Sequence, residues 1–270
     1  VAIRNLVIYR ATYGPIAQPN TNYQITKLPI TQLPDSQMLS ISWLGHSTFI
    51  IQFPDGKRVI TDPWLGNPNC PPRFAKAEAV KPIDLILVSH GHSDHTGDVA
   101  AVARATHAPI VCIFELGLHF TEKGLKDVRD MGIGGTQTVG DFTITMTNAV
   151  HSGSLVDDGR IVYLGGAAGF VVRTAAAPTI YFAGDTALFG DMKIIGEIYT
   201  PQIAFLPIGD HYTMGPDTAA IAARWLGVRQ VVPMHWGTFP LLTGTAQMLK
   251  EKLSGTGIDV LELKPGETAT

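Results

Sequence analysis

The sequence predicts an α/β protein built as a four-layer αββα sandwich, and three observations carry that expectation. Short, almost purely apolar runs such as 83–89 and 203–206 have the composition of strands buried on both faces. Strand-like and helix-like segments alternate in two separate parts of the chain, with a β-rich stretch between them. Two sheets buried in this way each need helical cover on the outside, which stacks as helix, sheet, sheet, helix. A single doubly wound parallel sheet is the alternative arrangement of the same elements.

The elements follow in chain order. Residues 1–38 carry scattered Pro, Asn, Gln and Thr without a helical period and predict an irregular extension, with the folded domain over 39–270. Residues 41–53 are rich in β-formers, Pro54-Asp55-Gly56-Lys57 is a turn signal, and 58–64 resume the apolar pattern, so a β-hairpin is expected. The run 83–89 is a strand ending in a polar cluster. It is followed by an Ala-rich helix over 99–107, a strand over 109–114 and a helix over 115–126. After a glycine-rich link, 132–140, strands are expected at 141–150, 161–173 and 179–183. The second alternating stretch then predicts a helix near 192–198, a strand at 202–207, a helix at 216–226 and a strand at 230–234. A helix near 246–253 and a strand near 258–263 close the order, and no close repeat is visible.

Composition narrows the function. With 270 residues, 45% of them hydrophobic, the chain can bury a large core. Twenty basic residues against 23 acidic ones leave a formal charge of −3, and no Lys/Arg run marks a nucleic-acid footprint. A small-molecule substrate is therefore expected, with no nucleic-acid partner. No apolar stretch approaches the roughly 20 residues of a membrane span. Cys70 and Cys112 are too few for a disulfide framework and point to a reducing cytoplasm, although a chain starting at Val1 leaves room for a trimmed targeting segment. The sequence carries no indication of oligomeric state.

The strongest chemical signal is Ser89-His90-Gly91-His92-Ser93-Asp94-His95-Thr96-Gly97, three histidines and a carboxylate in six positions after a buried strand. Imidazole and carboxylate suit Zn and similar divalent ions, and a turn after a strand can aim alternate side chains into one pocket. Gly91 and Ser93 leave the backbone room to fold around ions.

This segment matches the His-x-His-x-Asp-His signature of the metallo-β-lactamase superfamily, and the resemblance extends over roughly 40–265. His151 after Asn148-Ala149-Val150, Asp185 in Ala183-Gly184-Asp185-Thr186, and His235 in Pro233-Met234-His235-Trp236 fit the remaining ligand positions in order. The flanking motifs Trp43-Leu44-Gly45-His46-Ser47-Thr48, Thr61-Asp62-Pro63-Trp64 and Leu206-Pro207-Ile208-Gly209-Asp210 most resemble uncharacterised metal-dependent hydrolases near the ascorbate-6-phosphate lactonase branch. N-acyl-phosphatidylethanolamine phospholipase D is similar at the Trp-Leu-Gly-His start and the His235-Trp236-Gly237-Thr238-Phe239 ending. The resemblance implies the αββα fold and two divalent metal ions, Zn first, with Mn, Fe, Ni or Co as alternatives. His90, His92 and His151 would hold one ion, Asp94, His95 and His235 the other, and Asp185 would bridge them. A hydroxide shared by such a pair is the implied nucleophile.

Around this set the sequence offers further candidates. His46 in the first hairpin and Asp62 before Pro63 are candidates for supporting the ligands, and Trp64 and Trp236, with Phe114 and Phe239, for walling a pocket. His211, in Gly209-Asp210-His211-Tyr212, follows a buried strand and is expected to face the metals as a general acid, so that Asp94 and His211 are the expected catalytic residues. His107 and His119 have the setting of ordinary helix residues. The expected reaction is hydrolysis of a phosphodiester or an ester-like bond, lactones included. The alternatives are β-lactam hydrolysis, nucleic-acid processing and non-hydrolytic iron-dependent redox chemistry. A non-enzymatic metal-binding scaffold is a further class, in which ligands are usually lost; here all seven are present.

Overall fold

The computed structural model describes residues 39–175 and 177–270; the expected extension over 1–38 lies outside the described residues. The segment expected as one hairpin is a three-stranded meander, β1 (Ser40–Trp43), β2 (Phe49–Gln52) and β3 (Arg58–Thr61). Its second turn forms as expected, with Asp55 Oδ1 accepting from Lys57 N–H at 3.0 Å. Its first turn interrupts the β-former run because Gly45 (φ 95°) and His46 (φ 53°) both take left-handed backbone. A side chain on Gly45 would run into Asn67.

From β3 the chain enters parallel pairing: β4 (Leu85–Leu87), β5 (Ile110–Ile113) and β6 (Val128–Met131) add in turn. The connections carry a one-turn helix α1 (Ser93–Thr96), then α2 (Val99–Thr106) and α3 (Phe114–Glu122). With β16 (Thr268–Ala269) against β1, the first sheet runs β16-β1-β2-β3-β4-β5-β6. The glycine-rich link then crosses to a second sheet, and within it lies an unexpected strand, β7 (Thr136–Val139), paired with β8 (Phe142–Asn148). The strand expected over 161–173 divides at Leu164–Ala167 into β10 (Arg160–Tyr163) and β11 (Ala168–Arg173), and β10 pairs only with β9 (Ser154–Asp157) in a separate hairpin.

The second sheet continues through β12 (Ile180–Phe182), β13 (Ile203–Pro207), β14 (Gln230–Met234) and β15 (Asp259–Val260), in the order β15-β14-β13-β12-β11-β8-β7. Its parallel strands are joined through α4 (Met192–Tyr199), α5 (Pro216–Leu226) and α6 (Ala246–Leu253). Pro216 opens α5, Gly227 in left-handed backbone closes it, and the Thr245 side chain caps α6 by accepting from Met248 N–H at 3.2 Å, worth about 1 kcal/mol.

The sheets meet through apolar inner faces. Phe49 of β2 lies edge-on to Phe205 of β13 with centroids 5.0 Å apart, and Phe53 meets Phe142 at 5.1 Å. Each such fully buried ring contributes roughly 1.5–3 kcal/mol by leaving water. The αββα expectation holds, and its consequence for function is directional. Strands β3, β4, β8, β12, β13 and β14 all end toward one edge of the sandwich, and their C-terminal extensions carry Asp62, His90, His151, Asp185, His211 and His235. Among the described residues no helix is long and apolar enough to cross a membrane.

Candidate metal centre

The carboxylate after β12 organises the site. Asp185 follows Gly184, whose φ of 62° and close approach to the Ala168 carbonyl and Ser89 leave no room for a side chain. Asp185 Oδ2 lies 3.0 Å from His235 Nε2, 3.3 Å from His95 Nε2, 3.7 Å from His151 Nε2 and 4.0 Å from His90 Nε2. A single oxygen therefore faces four histidines drawn from three separate segments of the chain.

On one side of it three imidazoles converge. His92 Nδ1 sits 2.9 Å from His90 Nε2 and 3.3 Å from His151 Nε2. The tautomer of His90 follows from its other nitrogen. Ser89 Oγ–H donates to Asp62 Oδ2 at 2.7 Å, so the 2.9 Å contact with His90 must run from His90 Nδ1–H to Ser89 Oγ. That leaves the Nε2 lone pair facing the other rings. Burial holds His90 well below the usual histidine range, and His92 and His151 also lie below it for the same reason.

On the other side stand Asp94, His95 and His235. His95 Nδ1–H donates to Asp62 Oδ2 at 2.7 Å, which again frees Nε2 toward Asp185. Asp94 Oδ2 lies 3.7 Å from His95 Nε2 and 3.8 Å from His235 Nε2. Burial works against charge on His235, yet Asp185 and Asp94 raise it to about 9. His95 rises well above its ordinary value because Asp185, Asp94 and Asp62 together outweigh burial. Burial likewise opposes the charge on the two central carboxylates, but His235 and His95 hold Asp185 well below the ordinary range, and His95, His235 and His46 do the same for Asp94.

These donors fit metal ions. His95 Nε2 and Asp185 Oδ1 are buried without any hydrogen-bond partner, a costly arrangement for polar atoms with nothing to bind. Two sets, His90 with His92 and His151, and His46 with Asp94, His95 and His235, each have donor atoms within 4.8 Å of one another, as do His90, His95 and Asp185. All seven residues singled out by the sequence pattern are brought together.

The supporting candidates divide. Asp62, in left-handed backbone at φ 38°, is fully buried and accepts from Ser89 N–H, Ser89 Oγ–H and His95 Nδ1–H, so one carboxylate steadies a histidine of each set. His46 lies inside the cluster rather than at its edge, with Nε2 3.0 Å from Asp94 Oδ2. A cleft of about 670 Å³ opens over the donors, walled by Trp64, Tyr212, Phe239, Pro240 and Leu241. Trp236 is not among its lining residues; its ring stacks on Trp43 with centroids 5.4 Å apart. Phe114 is half exposed at the start of α3 and does not line the cleft either.

His211 differs from expectation. Asp210 (φ 64°) and His211 (φ 55°) both take left-handed backbone, and this tight turn brings Tyr212 onto the cleft while His211 stays exposed beside it, edge-on to the Tyr212 ring. The structure adds three hydroxyl residues to the site: Ser89, Ser152, whose Oγ lies 3.2 Å from His92 Nε2, and Thr238 beside His46. A hydroxyl residue directly before or after a ligand-type histidine was the only local sign of the first two.

Residues 57–236 match a family model described as beta-lactamase superfamily domain. A metal-dependent hydrolase of the UPF0173 group from Koribacter versatilis is 48% identical over 235 residues, covering 87% of this chain and 99% of the relative. One from Solibacter usitatus is 45% identical, covering 85% and 98%. Among solved structures, the metallo hydrolase Igni18 from Ignicoccus hospitalis superposes with a TM-score of 0.77 at 34% identity, over 86% of this chain and 97% of that one.

Proposed function

The chain belongs to the metallo-β-lactamase superfamily as one of its metal-dependent hydrolases, and from that premise we propose that it works with a pair of metal ions on an uncharged ester-like bond, lactones included. The observation that carries the two-ion reading is Asp185, whose single oxygen faces both the His90, His92, His151 set and the Asp94, His95, His235 set. Five imidazoles and two carboxylates exceed what one tetrahedral ion uses, and this donor mixture favours zinc. When bound, such a pair supplies a water of lowered pKa and a Lewis acid for the scissile carbonyl.

The chain's own residues do the rest. Asp62 and Ser89 fix the Nδ1–H tautomers of His95 and His90, so their Nε2 lone pairs stay turned inward. Trp64, Phe239, Pro240 and Leu241 offer apolar walls that exclude water and hold a substrate against the donors. Tyr212 brings a phenol to the same cleft, within the class of groups able to donate a proton to a departing oxygen. Among the described residues lining the cleft there is no Lys or Arg, which favours an uncharged ester or lactone over a phosphodiester.

The test joins metal analysis of protein purified without added metal to a screen of aryl esters, lactones, a bis-aryl phosphodiester and β-lactams. The expected result is two equivalents of metal per chain and chelator-sensitive turnover of esters or lactones. A single equivalent at saturation, or turnover indifferent to chelation, overturns the two-ion reading. Preference for the phosphodiester overturns the bond assignment alone.

A further inference from the structure

His46 is the one histidine in the cluster whose two ring nitrogens are both engaged by groups other than imidazole. Nδ1 lies 2.9 Å from Thr238 Oγ1 and Nε2 lies 3.0 Å from Asp94 Oδ2. The contrast with His95 is informative: His95 Nε2 is buried with no hydrogen-bond partner, as befits an atom awaiting an ion, whereas His46 leaves no nitrogen unsatisfied. An ionised Asp94 has no proton to give, so Nε2 carries the hydrogen and donates it, and Nδ1 accepts from the Thr238 hydroxyl.

The backbone of His46 adds a second tether. Its carbonyl accepts from His235 N–H at 3.1 Å and from Trp43 Nε1–H at 3.0 Å. The residue sits in left-handed backbone at φ 53°, fully buried, with its ring 4.0 Å from that of His235 and edge-on to Trp64 and Phe239. Asp94 needs such a partner. It stands on the one-turn helix α1, its side chain is 24% exposed to the cleft, and the terminal torsion of a carboxylate is soft.

We propose that His46 is a positioning residue for the second metal, holding Asp94 through its ring and His235 through its carbonyl, two donors that arrive from different elements. The inference rests on the two-ion reading above. It assigns His46 no place among the ligands, and it makes Thr238 the residue that sets the useful tautomer.

The experiment titrates metal-free protein with zinc against a chromophoric chelator, and records the visible spectrum of the cobalt-loaded form. His46→Asn tolerates the left-handed backbone but has no donor at the Nε2 position, while His46→Gln restores a donor there. In His46→Asn the second equivalent should bind about 10–100-fold more weakly, the usual cost of losing an outer-shell partner, with the first equivalent unchanged. His46→Gln should recover most of that loss. Both saturated variants should keep the wild-type cobalt bands, because no ligand has been removed. Thr238→Val, nearly isosteric, should weaken the second equivalent several-fold in the same direction, and it decides the matter if His46→Asn does not fold. Second-equivalent affinity equal to wild type in His46→Asn, or in Thr238→Val where that variant decides, overturns the proposal. So do cobalt bands that change as for loss of a nitrogen ligand without rescue by glutamine, since His46 would then be a ligand. If the wild-type protein itself binds only one equivalent, it is the two-ion reading that fails.

Discussion

His90, His92 and His151 on one side of Asp185, and Asp94, His95 and His235 on the other, are built from similar donors yet hold different numbers of protons. Burial keeps the first three histidines below their ordinary range, so without metal they are neutral and their lone pairs are available. On the second side Asp185 and Asp94, joined at His95 by Asp62, outweigh burial, so His95 and His235 hold protons where a metal would sit. A buried charged cluster can thus exist without a metal: protons on His95 and His235 stand in for the cation, paired with carboxylates that would otherwise repel one another. On the two-ion reading, loading the first set would require no proton release near neutral pH, whereas loading the second would exchange protons for metal.

The largest effect is expected from removing the oxygen that both sets share. Asp185→Asn keeps the volume but not the charge, and it should lower kcat/KM at least about 10²-fold, given several kcal/mol of Lewis-acid stabilisation at about 1.4 kcal/mol per factor of ten. It should also weaken both metal equivalents. Steady-state kinetics with metal titration is the check, and unchanged turnover would remove Asp185 from its central place.

A sharper test uses pH. Because His95 and His235 lie above the ordinary histidine value, the second equivalent should gain affinity by about tenfold per pH unit for each proton displaced, below those values, while the first changes little from neutral pH upward. Calorimetry in two buffers of different ionisation enthalpy reads the protons released. Equal release for both equivalents would erase the distinction. Linkage fixes the sign for the metal-free protein. A histidine raised from 6.5 to about 9, such as His235, contributes stability that is fully present below pH 6.5 and lost as pH rises through about 9. Metal-free protein should therefore lose thermal stability across that window, and the loaded protein should not.

The smallest expected effect separates neighbours at the cleft. His211→Ala should change turnover by less than about twofold, as for a surface substitution worth under about 0.5 kcal/mol. Tyr212→Phe should cost more, and more for esters with poor leaving groups than for nitrophenyl esters. A large loss in His211→Ala with metal content intact would restore the general-acid assignment to the histidine.

Much of the fold was legible because its elements are local. Helices 216–226 and 246–253 and strand 230–234 coincide with their expected bounds, since periodicity, Pro216 and Gly227 act within a few residues. Strands β6, β7, β9 and β16 were not visible. Gly132, Gly134 and Gly135 lie between β6 and β7, and the two-residue β16 exists only through pairing with β1. The turn at Gly45-His46 was hidden inside a run of β-formers, where φ > 0 leaves little trace in composition.

The site divides along the same line. By itself the sequence determined that ligand-type residues stand at strand ends: three histidines and Asp94 within six positions, and His151, Asp185 and His235 where the family pattern requires them. Tertiary structure decided what those residues can do. Only folding brings Asp185 Oδ2 to four histidines, makes Asp62 the shared acceptor for Ser89 and His95, and draws His46 to Asp94 and Thr238 across 48 and 192 positions. The physical reason is that donor identity is a property of a residue, whereas protonation, tautomer and the choice between Tyr212 and His211 depend on neighbours and on backbone turns, which local sequence does not encode.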